Sequence, residues 1–412
     1  MLKDKKDIDL KFDPNLMKKA KTGIDLQNEL KNSAIWTAVL SIMFLFFSFR
    51  SDSISESFIA LPFFIISYYL FFSVGKDEVA SWFRKLIGKN LLKVIIFPIF
   101  LFLIYIIYII LNHANSVNGA FILIPYLILF PVLMFLVKRK ETNRITWIDF
   151  AALIIYLLPA TLIDFEPKGN LPYNGNGFDS LYRILLIIGA VYSFMIISDL
   201  SDIGFSPRFS MKSLFTSVLV WFAFYSFVFI VGYGVGFIRI SGHELAGKAL
   251  ISSIVFTLIA TFLHTGVFEE LFFRGLLQNM LSKRITQGGS WKTFWIWGLA
   301  ILVPLAIVVG YTLKGKMQWF PAFMTLSIFA ATWFIEKAGR AGAGVYTALA
   351  ITSIIFGLVH YHSHAIIYIG FACLAGWAYG YTYIRTKNIF CSAIVHALVN
   401  CSDLIFGLKF MM

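Results

Sequence analysis

Two adjacent carboxylates and an arginine interrupt a long apolar stretch that begins near Ala249. Residues 268–275 read Phe-Glu-Glu-Leu-Phe-Phe-Arg-Gly. A charged side chain at bilayer depth costs about 2.5–3.5 kcal/mol on insertion scales, so such residues usually serve a function. On a helix, Glu270 and Arg274 are four residues apart and share a face, whereas Glu269 is rotated from them by about 100°. Arg274 is therefore predicted to neutralise Glu270 and to leave Glu269 as a general base. The alternative is an ion pair that only holds two helices together.

Two histidine motifs follow on later apolar segments. They are Phe356-Gly-Leu-Val-His360 and His396-Ala-Leu-Val-Asn400. His396 and Asn400 are four residues apart and project to one side of a helix. Such a pair can donate to a developing oxyanion, and Asp403 continues the same stripe. The alternative is hydrogen bonding between helices, worth about 0.6 kcal/mol per bond in membranes.

Together the three motifs supply the groups for hydrolysis by an activated water. Glu269 is the predicted base, His360 the second acid–base group, and His396 with Asn400 the donors. A Ser or Cys nucleophile beside a base is absent from the motifs. The alternative is a metal, with zinc as the candidate, held by Glu269, His360 and His396. The trio His360, His362 and His364 is a further metal candidate, although it lacks the zinc-binding HExxH spacing.

The composition places these motifs in a membrane. Hydrophobic residues make up 59% of the 412 and charged residues 14%, against about 25% charged in a soluble domain. Runs such as 94–111 are apolar over about 18 residues, the length of a spanning helix. The sequence therefore predicts an all-α, polytopic membrane helix bundle with about 13 transmembrane helices. The predicted segments are 33–49, 57–74, 92–112, 119–137, 146–163, 181–198, 213–237, 249–280, 292–311, 318–336, 344–361, 363–385 and 389–408.

The net charge of +13 sets topology and does not indicate a nucleic-acid partner, since Lys and Arg lie in short alternating loops. Their pattern predicts a cytoplasmic N-terminus, and the compact loops favour the plasma (inner) membrane of a prokaryote. We expect a cytoplasmic segment at 1–32 and N-terminal transmembrane helices without an assigned role at 33–198. The catalytic core is expected at 199–412, with an inserted helical hairpin at about 290–340.

The ordered motifs resemble those of the CPBP family, the CAAX protease and bacteriocin-processing proteins, also called the Abi family. The matching residues are Glu269-Glu270-Leu-Phe-Phe-Arg274, Phe356-Gly-Leu-Val-His360 and His396-Ala-Leu-Val-Asn400, with Gly376-x-x-x-Gly380 before the third motif. The likeness covers roughly residues 200–408, and the three motifs occur in order without substitution.

This resemblance implies an intramembrane endopeptidase. By that analogy Glu269 and His360 would activate the water, and His396 and Asn400 would stabilise the oxyanion. Glu270 and Arg274 would position the site. The family has been described both as metalloproteases and as glutamate-type proteases, and the sequence leaves the two open.

One departure from the family pattern lies between the first two motifs, which usually occupy consecutive helices. Here 82 residues separate Arg274 from Phe356 (356 − 274), and the segments near 292–311 and 318–336 fill the gap. The expected partners are the lipid bilayer and a membrane protein or peptide substrate. A prenylated C-terminus, a bacteriocin leader or a peptide pheromone would each qualify. The alternatives are a non-proteolytic scaffold or bacteriocin-immunity-type protein of the same family, and a transporter with a proton relay.

Overall fold

The computed structural model is built almost wholly from helices. It describes residues 26–51, 54–112, 117–138, 144–162, 169–171, 179–288, 290–313, 317–339, 344–363 and 365–411. In this part the chain forms fifteen helices and two pairs of short antiparallel strands. The predicted all-α class is confirmed, and most of the predicted segment 1–32 lies outside the described residues.

The helices follow the apolar segments of the sequence in order. They are α1 (Leu26–Ser51), α2 (Ile54–Val74), α3 (Asp77–Ile87), α4 (Leu91–Leu111), α5 (117–138), α6 (Trp147–Leu162), α7 (Leu181–Ile197), α8 (Met211–Gly234), α9 (Gly247–Thr286), α10 (Trp291–Thr312), α11 (Phe320–Lys337), α12 (Val345–Leu358), α13 (Ile366–Thr386), α14 (Ile389–Asn400) and α15 (Ser402–Phe406). The strands are β1 (Asn170–Leu171), β2 (Asp179–Ser180), β3 (Ile238–Ile240) and β4 (Leu408–Phe410). β1 pairs with β2, and β3 pairs with β4.

Eight helices in the described part are long and apolar enough to cross a membrane. They are α1, α2, α4, α5, α8, α9, α10 and the helix at Val345–His362, which is α12 with its continuation. Each of the thirteen predicted segments overlaps a helix in the described part, but α6, α7 and α14 are shorter apolar helices. The predicted count of about thirteen spans is therefore not exact, and the chain is a multi-pass membrane protein.

The last predicted segment, 389–408, is not one helix. α14 ends at Asn400, α15 follows, and Gly407 adopts a left-handed backbone conformation (φ 62°). Glycine tolerates this conformation without a steric penalty. The Gly407 carbonyl accepts hydrogen bonds from the backbone N–H groups of Ser241 and Gly242, so the chain turns into β4 and pairs with β3.

The segment between α7 and α8 connects several of the helices that carry the motifs. Its hydrogen bonds run from Asn279 Nδ2 to Ser201 O (2.8 Å), from Tyr383 Oη to Asp202 O, and from Ile389 N to Gly204 O (3.1 Å). The Asp202 carboxylate also lies 3.1 Å from Lys283 Nζ. Burial raises the pKa of this carboxyl, but the Lys283 charge and hydrogen bonds outweigh burial, so the net shift of the pKa is downward. This segment therefore fixes α9, α13 and α14 relative to one another.

The helices α10 and α11 correspond to the predicted hairpin at 290–340. They pack against each other and against α12 and α13. The Glu336 carboxylate, near the end of α11, accepts hydrogen bonds from Gly344 N (3.0 Å) and Thr347 N (2.8 Å). These N–H groups lie at the start of α12, where a helix leaves its first donors unpaired. The hairpin thereby anchors the helix that leads to His360.

Close packing of α12 on α13 depends on Gly376. A Cβ atom added there would lie 2.9 Å from both the Cα and the carbonyl oxygen of Ser353. Backbone atoms cannot move aside as a flexible side chain can, so Gly376→Ala should push the two helices apart. We expect a loss of about 1–3 kcal/mol in the free energy of unfolding, as for other overpacked sites, measured by denaturant titration of the detergent-solubilised protein.

The matched control is Gly234→Ala at the end of α8, where a Cβ atom would meet nothing within 4 Å. This variant should leave the free energy of unfolding unchanged or slightly higher. Equal effects of the two substitutions would contradict the role given to the α12–α13 contact.

Candidate active site

Glu269 and Glu270 lie in a single α-helical turn of α9 that is flanked by wider turns. The turn is Val267–Glu270, with π-helical stretches at Phe262–Gly266 before it and Leu271–Gln278 after it. π-helical turns inside α-helices are rare and frequently occur at functional sites. They change the rotation of the following residues and so set which face each carboxylate occupies.

Glu270 is fully buried and has two ionisable partners. Its Oε2 lies 3.0 Å from Arg274 Nε, and its Oε1 lies 3.0 Å from His396 Nδ1. The side chains of Glu270 and Arg274 are both 0% exposed. The pairing predicted from the spacing of Glu270 and Arg274 is therefore present, and it neutralises a charge that would be costly to bury alone.

The Arg274 guanidinium is enclosed by aromatic rings. Its carbon Cζ lies 4.9 Å from the centroid of the Phe356 ring, 5.7 Å from that of Phe273 and 5.8 Å from that of Tyr379. A cation over an aromatic face is attracted by the ring quadrupole, more strongly when both are desolvated. Phe356 of the second motif therefore contacts Arg274 of the first, which brings α12 against α9.

His396 lies between the two carboxylates. While Nδ1 faces Glu270, its Nε2 lies 3.9 Å from Glu269 Oε2. The imidazole stacks on the Tyr379 ring, with the ring centroids 4.6 Å apart and an angle of 14° between the ring planes. It meets the Phe356 ring edge-on, with the centroids 5.9 Å apart. Together the hydrogen bond and the stacking fix the orientation of the His396 ring.

His360 lies in a 3-10 turn, Val359–Ser363, that continues α12. Its Nδ1 lies 2.7 Å from the Phe356 carbonyl oxygen, which accepts the N–H, so the neutral ring presents Nε2 as a lone pair. The ring also packs on the rings of Phe356 and Tyr368, with centroid separations of 4.8 Å and 5.9 Å. His362 bonds to the Val359 carbonyl and is exposed.

One cavity of about 420 Å³, here called the site cavity, joins the three motifs. Its polar lining is Glu269, His360, His396, Asn400, Asp403, Thr265, Tyr225, Tyr368 and Tyr379, and its apolar lining is Phe224, Val228, Phe237, Phe356, Phe371, Ala372, Ala375, Val399 and Phe410. This volume is typical of ligand sites, about 300–1,000 Å³. The Glu269 side chain is 26% exposed, whereas Glu270 and Arg274 lie behind the wall.

A second cavity, of about 380 Å³, lies between α1, α9 and α14. Its lining is wholly apolar apart from the indole of Trp36 and contains no carboxylate or imidazole. It cannot supply acid–base chemistry. The site cavity is the candidate active site because Glu269, His360, His396 and Asn400 of the three motifs line it.

Two tyrosines of the site cavity were not predicted from the sequence. Tyr379 supports the His396 ring, and Tyr368 contacts His360. Both lie on α13, between the second and third motifs. A phenol in an apolar helix was the available signal, but a Tyr is common at such positions and does not by itself indicate a site.

The alternative metal site does not fit the geometry of the described residues. In these ranges no group of three or more His, Cys, Asp and Glu side chains is arranged to hold a metal ion. Glu269, His360 and His396 share the site cavity, with His396 Nε2 3.9 Å from Glu269 Oε2. His364, of the candidate trio His360, His362 and His364, lies outside the described residues.

Comparison with protein families gives a match in the C-terminal half of the chain. The family model described as type II CAAX prenyl endopeptidase Rce1-like matches residues 251–345 and 328–402. These ranges contain the three motifs, so the family resemblance predicted from them is confirmed for the C-terminal half. At the level of the family, this match supports a CAAX-type intramembrane protease. No match is found among curated proteins or among solved structures.

Proposed function

We propose that the protein is an intramembrane endopeptidase that hydrolyses a peptide bond of a membrane-associated protein or peptide with an activated water. One observation carries the proposal. Glu269, His360, His396 and Asn400 come from three separate helical segments, yet all four line one cavity. A carboxylate, two imidazoles and an amide in one partly dry cavity are the groups that this reaction needs.

Glu269 is the proposed general base. Its carboxylate opens onto the site cavity, and its Oε2 has no hydrogen-bond partner among the described residues. It takes a proton from water while the water oxygen bonds to the scissile carbonyl carbon. His360 shares this role, because its Nε2 lone pair is available for the same water.

His396 and Asn400 are the proposed donors to the tetrahedral oxyanion. With Nδ1 bonded to Glu270, a proton on Nε2 makes His396 a donor that the neighbouring carboxylates stabilise. The Asn400 amide, one helical turn further along α14, adds a second donor. The intermediate then collapses, the C–N bond breaks, and the protonated base returns its proton to the leaving amine.

Glu270 and Arg274 are proposed as positioning residues. Both are buried behind the cavity wall and act on the reaction through His396, Phe356 and Tyr379. The apolar part of the cavity lining suits a substrate with apolar side chains, as a membrane-associated segment has. We also propose the prokaryotic plasma membrane, with the N-terminus in the cytoplasm, as the location.

The test compares membranes from cells that express the wild type, Glu269→Gln, or Glu244→Gln as the control. Glu244 is an exposed carboxylate between β3 and α9, outside the site cavity. New peptide N-termini are identified by mass spectrometry after labelling of α-amino groups. We expect termini that appear with the wild type and with Glu244→Gln but not with Glu269→Gln.

The same termini in all three samples, or none with the wild type, would rule out the proposed activity. A chelator is added to a second wild-type sample. Cleavage should persist, and its loss with recovery on added zinc would replace the bare-water mechanism with a metal-dependent one.

A further inference from the structure

The strand pair β3–β4 forms part of the wall of the site cavity. Phe237, just before β3, and Phe410 of β4 both line the cavity. Their rings pack together, with the centroids 5.6 Å apart. Phe237 also contacts Phe371 of the apolar wall at 6.0 Å. A sheet edge therefore lies beside the candidate catalytic groups.

The register determines which backbone groups of the strands are free. Ile238 pairs with Phe410, Arg239 with Lys409 and Ile240 with Leu408. Backbone bonds from Met411 N to Phe237 O and from Ser241 N to Gly407 O (each 2.9 Å) bracket this ladder. Because hydrogen-bonded and non-hydrogen-bonded pairs alternate in an antiparallel ladder, Arg239 and Lys409 bond to each other across the pair.

The intervening residues direct their backbone N–H and C=O groups away from the partner strand. Leu408 and Phe410 therefore present theirs along the outer edge of β4, and Ile238 and Ile240 along the outer edge of β3. No hydrogen bond to these groups occurs within the described residues. Unpaired groups along an edge are a template for another extended chain.

We propose that the outer edge of β4 binds the substrate as an added third strand that enters the site cavity beside Phe410. The occupant is an extended polypeptide segment next to the scissile bond. This inference rests on the proposed protease function, and it specifies how the substrate is held. Main-chain hydrogen bonds would give affinity, and alternate side chains of the substrate would face the apolar wall.

The edge of β4 is favoured over that of β3 by its side chains. Phe410 lines the site cavity, whereas Ile238, its partner on β3, is 1% exposed and does not line it. At the other end of the pair, Ile240 and Leu408 both line a different groove. Arg239 and Lys409 share the opposite, exposed face of the pair. An added strand on the β4 edge therefore continues directly into the cavity that holds Glu269.

The experiment removes one outward N–H at a time by proline substitution. Phe410→Pro deletes an outward N–H on the β4 edge beside the site cavity, and Ile240→Pro deletes an outward N–H on the β3 edge away from it. Neither removes a ladder bond, and both follow an extended residue, which proline tolerates. Phe410→Ala and Ile240→Ala report the loss of the side chains alone.

The probe is a fluorogenic peptide spanning a cleavage site found with wild-type membranes, together with analogues N-methylated at successive residues. Phe410→Pro should raise KM about 3–10-fold relative to Phe410→Ala, as loss of one hydrogen bond predicts, with kcat within about twofold. Ile240→Pro should match Ile240→Ala. N-methylation should weaken binding at every second residue.

Equal KM values for Phe410→Pro and Phe410→Ala, or an N-methylation effect without a two-residue period, would overturn strand addition and leave the protease function standing. Thermal unfolding of each variant separates a binding effect from a folding defect, and the N-methylated peptides test the wild type itself. Absence of cleavage by the wild type would remove both proposals.

Discussion

Glu269→Gln should lower kcat about 100- to 10,000-fold, the range that a positioned general base contributes, with KM nearly unchanged. Glutamine keeps the shape of the side chain but cannot accept the proton that water must lose. KM should hold because Glu269 is one of eighteen residues that line the cavity, nine of them apolar. The measurement is steady-state hydrolysis of a fluorogenic peptide substrate by the purified protein in detergent.

A double variant separates a shared role from two independent ones. If Glu269 and His360 activate the same water, Glu269→Gln with His360→Ala should be about as slow as the slower single variant, because groups that act as a unit are non-additive. Glu244→Gln should keep the wild-type kcat. Losses that multiply in the double variant would show that the two residues act in different steps.

The motif residues that line the site cavity could be predicted because each motif carries its own geometric signal. A spacing of four places Glu270 beside Arg274 and His396 beside Asn400 on one helix face, and the structure has the first pairing. The charge and polarity of these side chains in apolar helices made them candidates without knowledge of the fold.

The contact between Glu270 and His396 could not be predicted in the same way. The two residues are 126 positions apart, and their 3.0 Å approach depends on the rotation of α9 about its axis. The π-helical stretches on either side of Val267–Glu270 set that rotation. No residue pattern in the sequence predicted these stretches. Tyr379 was not predicted for the same reason, because its role depends on its stacking against the His396 ring.

At the end of the chain, the sequence predicted a longer helix than the structure has. Residues 389–408 are apolar enough to predict one helix. The apolar pattern does not indicate the left-handed turn that Gly407 adopts. Strand β4 is only three residues long and pairs with a strand about 170 positions earlier (408 − 240 = 168). Such a non-local pairing leaves no periodic signal, because three residues are too few for an alternation to be recognised.

Arg274→Met should destabilise the protein by about 3–5 kcal/mol, the cost of breaking a buried ion pair by removing one partner. Glu270 would remain fully buried with only His396 to balance its charge. The cation above the Phe356 ring, which links α9 to α12, would also be lost. The free energy of unfolding in detergent, from denaturant titration of each variant, measures the effect.

The double variant Glu270→Gln with Arg274→Met identifies the cause. It removes both charges, so it should recover most of the stability that Arg274→Met loses, since neutral groups of similar size often replace a buried pair at little cost. Asp202→Asn is the control at an exposed pair, with side chains 50% exposed for Asp202 and 22% for Lys283. Asp202→Asn should lower the free energy of unfolding by about 0–1 kcal/mol.

A double variant as unstable as Arg274→Met would mean that packing of the Arg274 side chain, and not its charge, holds α9 against α12 and α14. Activity should remain low even where stability recovers, because His396 would have lost the carboxylate that orients its ring.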